Sequence, residues 1–284
     1  MGENPMVSDP DLTHVEASLK NLEFLVVQDI FLTETARLAH VVLPAVSFAE
    51  KDGTFTNTER RVQRVRKAVE PVGQSRSDRE ILTDLAGRMG SPMSCDSAED
   101  VFEEIRSLTP SHAGITYERI DREGLQWPCP DAEHPGTPYL HRDGFPRGKG
   151  RFHAVEYTPP AELPDDDYPL VLTTGRVLYQ YHTATMTGRC EGLQFSCPKG
   201  YMEIHESDAS SIGLKDQQVV RVSSRRGSIE IAAQVTDRSM PGSVFIPFHF
   251  FETAANRLTH SELDPIGKTP EFKICAVKVE PLPL

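Results

Sequence analysis

The sequence predicts an α/β segment over residues 1–165, followed by a small six-stranded β-barrel over residues 166–284. Three observations carry this reading. Near the start the order is strand, helix, strand, the pattern a parallel sheet leaves in sequence. The last third holds six short β-type runs separated by turn residues, as in a small barrel. Between the two parts, Pro164-Asp165-Asp166-Asp167-Tyr168-Pro169 punctuates the chain as a boundary.

Taken in order, Asp9–Lys20 reads as a helix with Ser8 or Asp9 as its cap. Phe24–Val27 reads as a short buried strand, Thr33–His40 as a helix, and Val41–Leu43 as a second apolar run stopped by Pro44. Two strands and two helices do not close a nucleotide-binding domain, so the chain is expected to begin partway through one. Asp78–Met89 reads as an amphipathic helix with Ile81, Leu82, Leu85 and Met89 on one face. Ala98–Leu108 is a second, with Val101, Phe102, Ile105 and Leu108 on its apolar side. Residues 109–165 are irregular and rich in Pro, Gly and His. The barrel strands are Leu170–Thr174, Tyr201–Ile204, Gln218–Ser223, Ser228–Val235, Ser243–Pro247 and Lys273–Val279. A short helix, Glu206–Ile212, precedes Gly213 as its C-terminal cap.

Composition narrows the function. Hydrophobic residues at 38% and charged residues at 25% are ordinary for a soluble domain. The formal net charge of −12 argues against nucleic acid, which demands clustered Lys and Arg. Apolar runs such as Phe24–Val27 fall far short of the roughly 20 residues of a membrane span. The opening Met1-Gly2-Glu3-Asn4-Pro5 lacks the basic start and apolar core of a secretory leader, so a cytoplasmic protein is expected. The five cysteines, at 95, 129, 190, 197 and 275, form no Cys-x-x-Cys pair. They therefore lack the usual ligand pattern of a zinc or iron–sulfur site and read as reduced structural thiols.

Several stretches carry more chemistry than a core or a solvated loop requires. Leu170–Arg189 turns from an apolar run into a segment crowded with hydroxyls, rings, an arginine and a histidine. Within it, Gly175 permits a close backbone approach and Arg176 offers a fixed fork to phosphate. Tyr179, Tyr181 and His182 can flank a flat heterocycle. Gln28-Asp29 follows the first strand, where open α/β sheets bind nucleotides; the alternative is an Asp that caps the next helix. Glu50–Arg61 is dense in charge around Gly53, and both a solvated loop and a packed one with Phe55, Thr54 and Thr56 inside fit the residues. Asp78 is first a helix cap.

Two motifs, TTGRVLYxYHTxTMT from Thr173 and EKxGTFTNxERRVQ from Glu50, closely resemble the molybdopterin-dinucleotide oxidoreductases. The resemblance covers essentially the whole chain and is strongest to the formate dehydrogenase catalytic subunit. QWPCP (residues 126–130), TPYLH (137–141) and RGKGRFHAVEY (147–157) favour that enzyme over the related nitrate reductases. The resemblance implies that residues 1–165 are the C-terminal remnant of the family's α/β core. It also implies that residues 166–284 are its dinucleotide-binding double-psi barrel.

The cofactor so implied is bis-molybdopterin guanine dinucleotide carrying Mo or W. Its guanine edge calls for carboxylates, its phosphates for cations and backbone N–H groups, and its pterin for amides and hydroxyls. By the same resemblance Gln28 and Asp29 line one dinucleotide, Lys51 touches the cofactor, and Asp78 meets a guanine. The run Thr174, Gly175, Arg176, Val177, Leu178, Tyr179, Gln180, Tyr181, His182 and Thr183 lines a dinucleotide as a unit. Phe248, Asn256, Phe272 and Lys273 complete the set, with Asn256 facing a pterin amide edge and Lys273 a phosphate. For Phe248 and Phe272 plain barrel core is the competing reading. Gln180 and Gly188 depart from the family pattern, which has His and a basic residue there.

The residues that perform the family's chemistry lie upstream of Asn4 in its pattern. They are the cysteine or selenocysteine on the metal, the histidine and arginine that handle formate, and the four-cysteine motif that holds [4Fe–4S]. No catalytic residue and no metal ligand is therefore expected in this chain, which alone should be inactive. Met1 matches an internal position of the family, so a split gene, an alternative start or a truncated chain is expected. The expected partners are the N-terminal half of the catalytic subunit and iron–sulfur electron-transfer subunits. A rival of another class is a non-catalytic protein that binds or stabilises the cofactor.

Overall fold

The computed structural model describes residues 1–283. The chain packs as two compact units: residues 1–27, 31–42 and 157–284 form one, and residues 28–30 and 43–156 the other.

In the first unit, α1 (Pro5–Ser8) and α2 (Leu12–Lys20) open the chain. The cap of α2 is Asp11, not Ser8 or Asp9; it sits at φ 48° and accepts the backbone N–H of His14 at 3.3 Å. β1 (Val26–Asp29) and β2 (Val41–Pro44) form a two-stranded sheet. The helix expected over Thr33–His40 is absent; only a 3-10 turn, Ala36–Leu38, forms. The side chain of Asn4 is the reason. Its Oδ1 accepts both the N–H and the hydroxyl of Thr35, at 3.2 and 2.7 Å, and its Nδ2 donates to Glu34 at 2.8 Å. The segment is pinned to the N-terminus and cannot wind.

The second unit is built on a three-stranded antiparallel sheet of β3 (Gly53–Thr56), β4 (Arg61–Val65) and β5 (Leu125–Gln126). The charge-dense stretch after Glu50 is thus a hairpin rather than a loop. α3 (Asp78–Arg88) and α4 (Ala98–Leu108) match their predicted spans closely. Capping boxes start them at Ser77/Glu80 and Ser97/Asp100, so Ser77 and not Asp78 caps α3. Of the predicted α3 face only Ile81 is buried; Leu82, Leu85 and Met89 are exposed. The core gathers Val62, Phe102, Ile115, Tyr117, Ile120 and Cys129.

The rest of the first unit is a closed barrel. Its strands are β6 (Leu170–Gly175), β7 (Tyr201–His205), β8 (Val219–Ser223), β9 (Ser228–Thr236), β10 (Ser243–Pro247) and β11 (Cys275–Pro281). They close in the order β10-β6-β11-β8-β9-β7, with β6/β10 and β7/β9 parallel and the other neighbours antiparallel. Alternation decides the register: Val220 and Val222 point inward while Val219 and Arg221 are exposed. Met202, Ile204, Ile231, Val244 and Ile246 fill the interior. The short helix α6 (Glu206–Ser211) runs into Gly213 at φ 65°, as the sequence implies. Between β6 and β7, α5 (Glu191–Ser196) follows the segment on which the binding reading rests.

Candidate functional site

Three residues spread over fifty positions meet in the second unit. Gln28 lies in β1, Lys51 follows the 3-10 turn Phe48–Glu50, and Asp78 is the first residue of α3. Asp78 accepts from Gln28 Nε2 through Oδ1 and from Lys51 Nζ through Oδ2, each at 2.7 Å. Burial pushes the Asp78 pKa up, but the hydrogen bonds from Lys51 and Gln28 outweigh it and hold the carboxyl below its usual range. The result is an ionised, half-buried carboxylate with an amide and an ammonium beside it. Asp29 is buried next to Gln28, and its carbonyl accepts the N–H of Ala45 at 3.0 Å.

In the first unit the stretch after β6 folds over the end of the barrel. Its backbone is held from below by His249, which the sequence reading did not single out. The Val177 N–H donates to His249 Nε2 at 3.0 Å, and His249 Nδ1 bonds the carbonyl of His182. Gln180 is buried rather than offered outward: its amide donates to the Cys197 carbonyl at 3.1 Å and accepts from Thr187 Oγ1 at 2.7 Å. Thr183 shares a hydrogen bond with Thr185 at 2.7 Å. Leu178 and Tyr181, by contrast, are 89% and 76% exposed, so the same fixed backbone holds large apolar surfaces outward. Arg176 lies 5.9 Å from the centre of the Phe248 ring, and His182 meets that ring edge-on at 6.3 Å. Arg176 to Tyr179 also border an open cleft of about 680 Å³ that takes in Lys199, Tyr201 and Arg238. Lys199 and Arg238 are further cations that the sequence reading passed over, because nothing in their local pattern marks them.

The remaining residues divide. Thr174, Phe272 and Lys273 come together: Thr174 Oγ1 donates to the Phe272 carbonyl at 2.8 Å, and Lys273 Nζ donates to the Thr174 carbonyl at 2.5 Å. Lys273 is otherwise exposed, at the edge of the Arg176 stretch. Asn256 is buried with its amide already used, donating to the Val7 carbonyl at 2.9 Å and so tying the barrel to α1. Gly175 has a packing reason of its own, since a Cβ there would lie 2.5 Å from the Phe245 ring. Gly175→Ala is therefore expected to destabilise the barrel by about 1–3 kcal/mol through overpacking, and Gly175→Ala/Phe245→Leu to recover most of it. Urea denaturation of the two variants checks this.

Two family models match the chain. The molybdopterin oxidoreductase model matches residues 1–88 and the molydopterin dinucleotide binding domain model residues 170–276, together more than half of the chain. The chain belongs to the molybdopterin oxidoreductase family. It is 52% identical over 284 residues to F420-dependent formate dehydrogenase 1 subunit alpha of Methanococcus maripaludis, covering 99% of this chain and 42% of that one. It is 40% identical to formate dehydrogenase H of Escherichia coli and 39% to the assimilatory nitrate reductase catalytic subunit of Bacillus subtilis; the matches cover 99% of this chain and 40% and 41% of those proteins. The chain thus spans about two fifths of the length of the relatives it matches. The structure of acetylene hydratase from Pelobacter acetylenicus shares the fold, with a TM-score of 0.75 at 17% identity, over 99% of this chain and 44% of that one.

The donor chemistry of both clusters fits the dinucleotide that the family implies. Asp78 and Gln28 offer acceptors to a guanine N–H edge, and Lys51 balances the charge. Arg176 lies against the Phe248 ring and has no ion pair among the described residues, which leaves its guanidinium fork able to meet phosphate. Among the described residues no group of His, Cys, Asp and Glu could hold a metal ion, and no helix is long and apolar enough to cross a membrane.

Proposed function

We propose that this chain is the cofactor-holding C-terminal part of a formate dehydrogenase catalytic subunit, with residues 1–165 contributing to the α/β core and 166–284 forming the dinucleotide-binding domain. The observation that carries the proposal is the 52% identity, along nearly the whole chain, to formate dehydrogenase alpha subunits more than twice its length. The convergence of Gln28 and Lys51 on the Asp78 carboxylate supports the guanine site.

In this reading Asp78 and Gln28 take the N–H edge of a guanine, with Asp29 beside them, and Lys51 keeps Asp78 ionised. Arg176 and Lys273 hold phosphate. Tyr179, Tyr181 and His182 flank the ring system, with Val177 and Leu178 preceding them in the same stretch and Phe248 packed against Arg176 and His182. When bound, the bis-molybdopterin guanine dinucleotide with its Mo or W supplies the two-electron chemistry that takes formate to carbon dioxide and a proton. This chain's own residues bind and orient it. The metal-ligating Cys or selenocysteine and the [4Fe–4S] cluster belong to an N-terminal half or partner subunit, without which the chain is inactive, and the assembly is cytoplasmic.

The test is to purify the chain with whatever copurifies under native conditions and assay dye reduction. Formate-dependent reduction, with a copurifying polypeptide that carries a Cys-x2-Cys cluster motif, is expected. Activity with nitrate alone would assign the chain to the nitrate reductases instead. Dinucleotide bound to the chain as a lone, inactive monomer would point to a carrier.

A further inference from the structure

His249 is 1% exposed, yet both of its ring nitrogens are engaged, and both by the backbone of one stretch. Nε2 faces the N–H of Val177 at 3.0 Å, so it must act as an acceptor and carry no proton. Nδ1 faces the carbonyl of His182, which can only accept, so it must carry the proton. The two partners together select the neutral Nδ1–H tautomer. They also bracket the segment 177–182, which holds the outward-facing Leu178, Tyr179 and Tyr181.

The backbone needs that support. His182 and Ala184 both adopt left-handed conformations, at φ 47° and 55°. Two such residues in close succession, neither a glycine, persist only where the surroundings fix them. The hydrogen bond from His249 to the His182 carbonyl is one such constraint.

We propose that His249 is the positioning residue for the 176–183 stretch, and that its protonation releases the stretch and with it the bound dinucleotide. The proposal rests on the cofactor-binding reading of that stretch. A proton on Nε2 would set two N–H groups against each other, so the Val177 bond cannot survive protonation. Burial is the largest influence on the ring and lowers its pKa; the His182 carbonyl raises it, and Arg176 and His182 lower it further. Arg176 and His182 are the charged and titratable groups acting on it, both from the stretch it holds. The sign follows: a histidine depressed below its ordinary value of about 6.5 contributes order that is full above that pH. This order is lost as pH falls from there through the folded value.

Hydrogen exchange of the 176–187 peptides tests the proposal, corrected for intrinsic rates and measured on the copurified assembly from roughly pH 7.5 to pH 5, alongside guanine nucleotide retained on the protein. As pH falls from about 6.5 toward the folded value, wild-type protection is expected to drop by up to about tenfold per unit and then to level off, with nucleotide released in parallel. His249→Gln, which can still donate and accept but does not titrate, is expected to keep protection flat across the range. His182→Gln, the control for the other titrating ring, is expected to respond as wild type does. A pH response in His249→Gln equal to that of wild type, or a response abolished only in His182→Gln, overturns the proposal. If the stretch opens as expected but nucleotide stays bound, His249 positions the backbone and the binding reading of residues 176–183 is what fails.

Discussion

Replacing Glu162 by glutamine is expected to cost about 3–5 kcal/mol of stability at neutral pH, the range for removing one partner of a buried ion pair. Glu162 clamps the strap that enters the barrel. Both its oxygens meet the guanidinium of Arg226, at 2.8 and 2.7 Å, Arg225 adds a bond at 2.7 Å, and the N–H of Ala276 donates at 2.9 Å. The side chains of Glu162 and Arg226 are only 13% and 15% exposed, so solvent does little to screen the loss. Arg226 in turn holds the Leu258 carbonyl at the barrel end, so its orphaned charge would be felt in the core. Burial alone would raise the Glu162 pKa, but the hydrogen bond from Arg226, the Ala276 N–H, the Arg226 charge and a hydrogen bond from Arg225 bring it down to about 2. A carboxyl depressed from 4.5 to about 2 contributes stability that is present above its unfolded value and lost as pH falls through the folded one. Urea denaturation should therefore show a wide gap between wild type and Glu162→Gln at neutral pH that narrows between about pH 4.5 and 2. A gap that does not change with pH would mean that packing, not charge, carries the clamp. The neighbouring Cys275 thiol is pushed up to about 12 by burial, which leaves it no role as a thiolate.

The barrel was legible in the sequence because its signal is local. Each strand alternates or runs apolar between turn residues, and a closed sheet of such strands has few other ways to bury them. α4 was legible for the same reason. The failures have distant causes. Thr33–His40 has helical spacing, but Asn4, some thirty residues away, takes its hydrogen bonds. The hairpin of β3 and β4 was hidden by charge, which reads as solvated loop until the partner strand is known. In the site, motif resemblance supplied the residues and spacing could not supply their meeting. Nothing local says that Gln28, Lys51 and Asp78 share one carboxylate. His249 was missed because a lone histidine among Phe248 and Phe250 reads as core. Asn256 and Gly175 also have structural duties that no local pattern announces.

The second large effect is expected at Asp78. Its carboxylate is the acceptor on which Gln28 and Lys51 converge, and a charge-assisted hydrogen bond contributes about 1.5–3 kcal/mol. Asp78→Ala should weaken dinucleotide retention by roughly 10–100-fold. Folding should suffer less, because Ser77 and not Asp78 caps α3 and the side chain is 38% exposed. Arg176→Ala/Lys273→Ala should act in the same direction at the other cluster, through phosphate.

Guanine nucleotide and pterin released by acid from the purified assembly, counted per chain, test the central claim that this chain grips the cofactor. Wild type should carry both, and Asp78→Ala and Arg176→Ala/Lys273→Ala should each arrive folded but depleted in guanine and pterin. Full wild-type content in both folded variants would contradict the account.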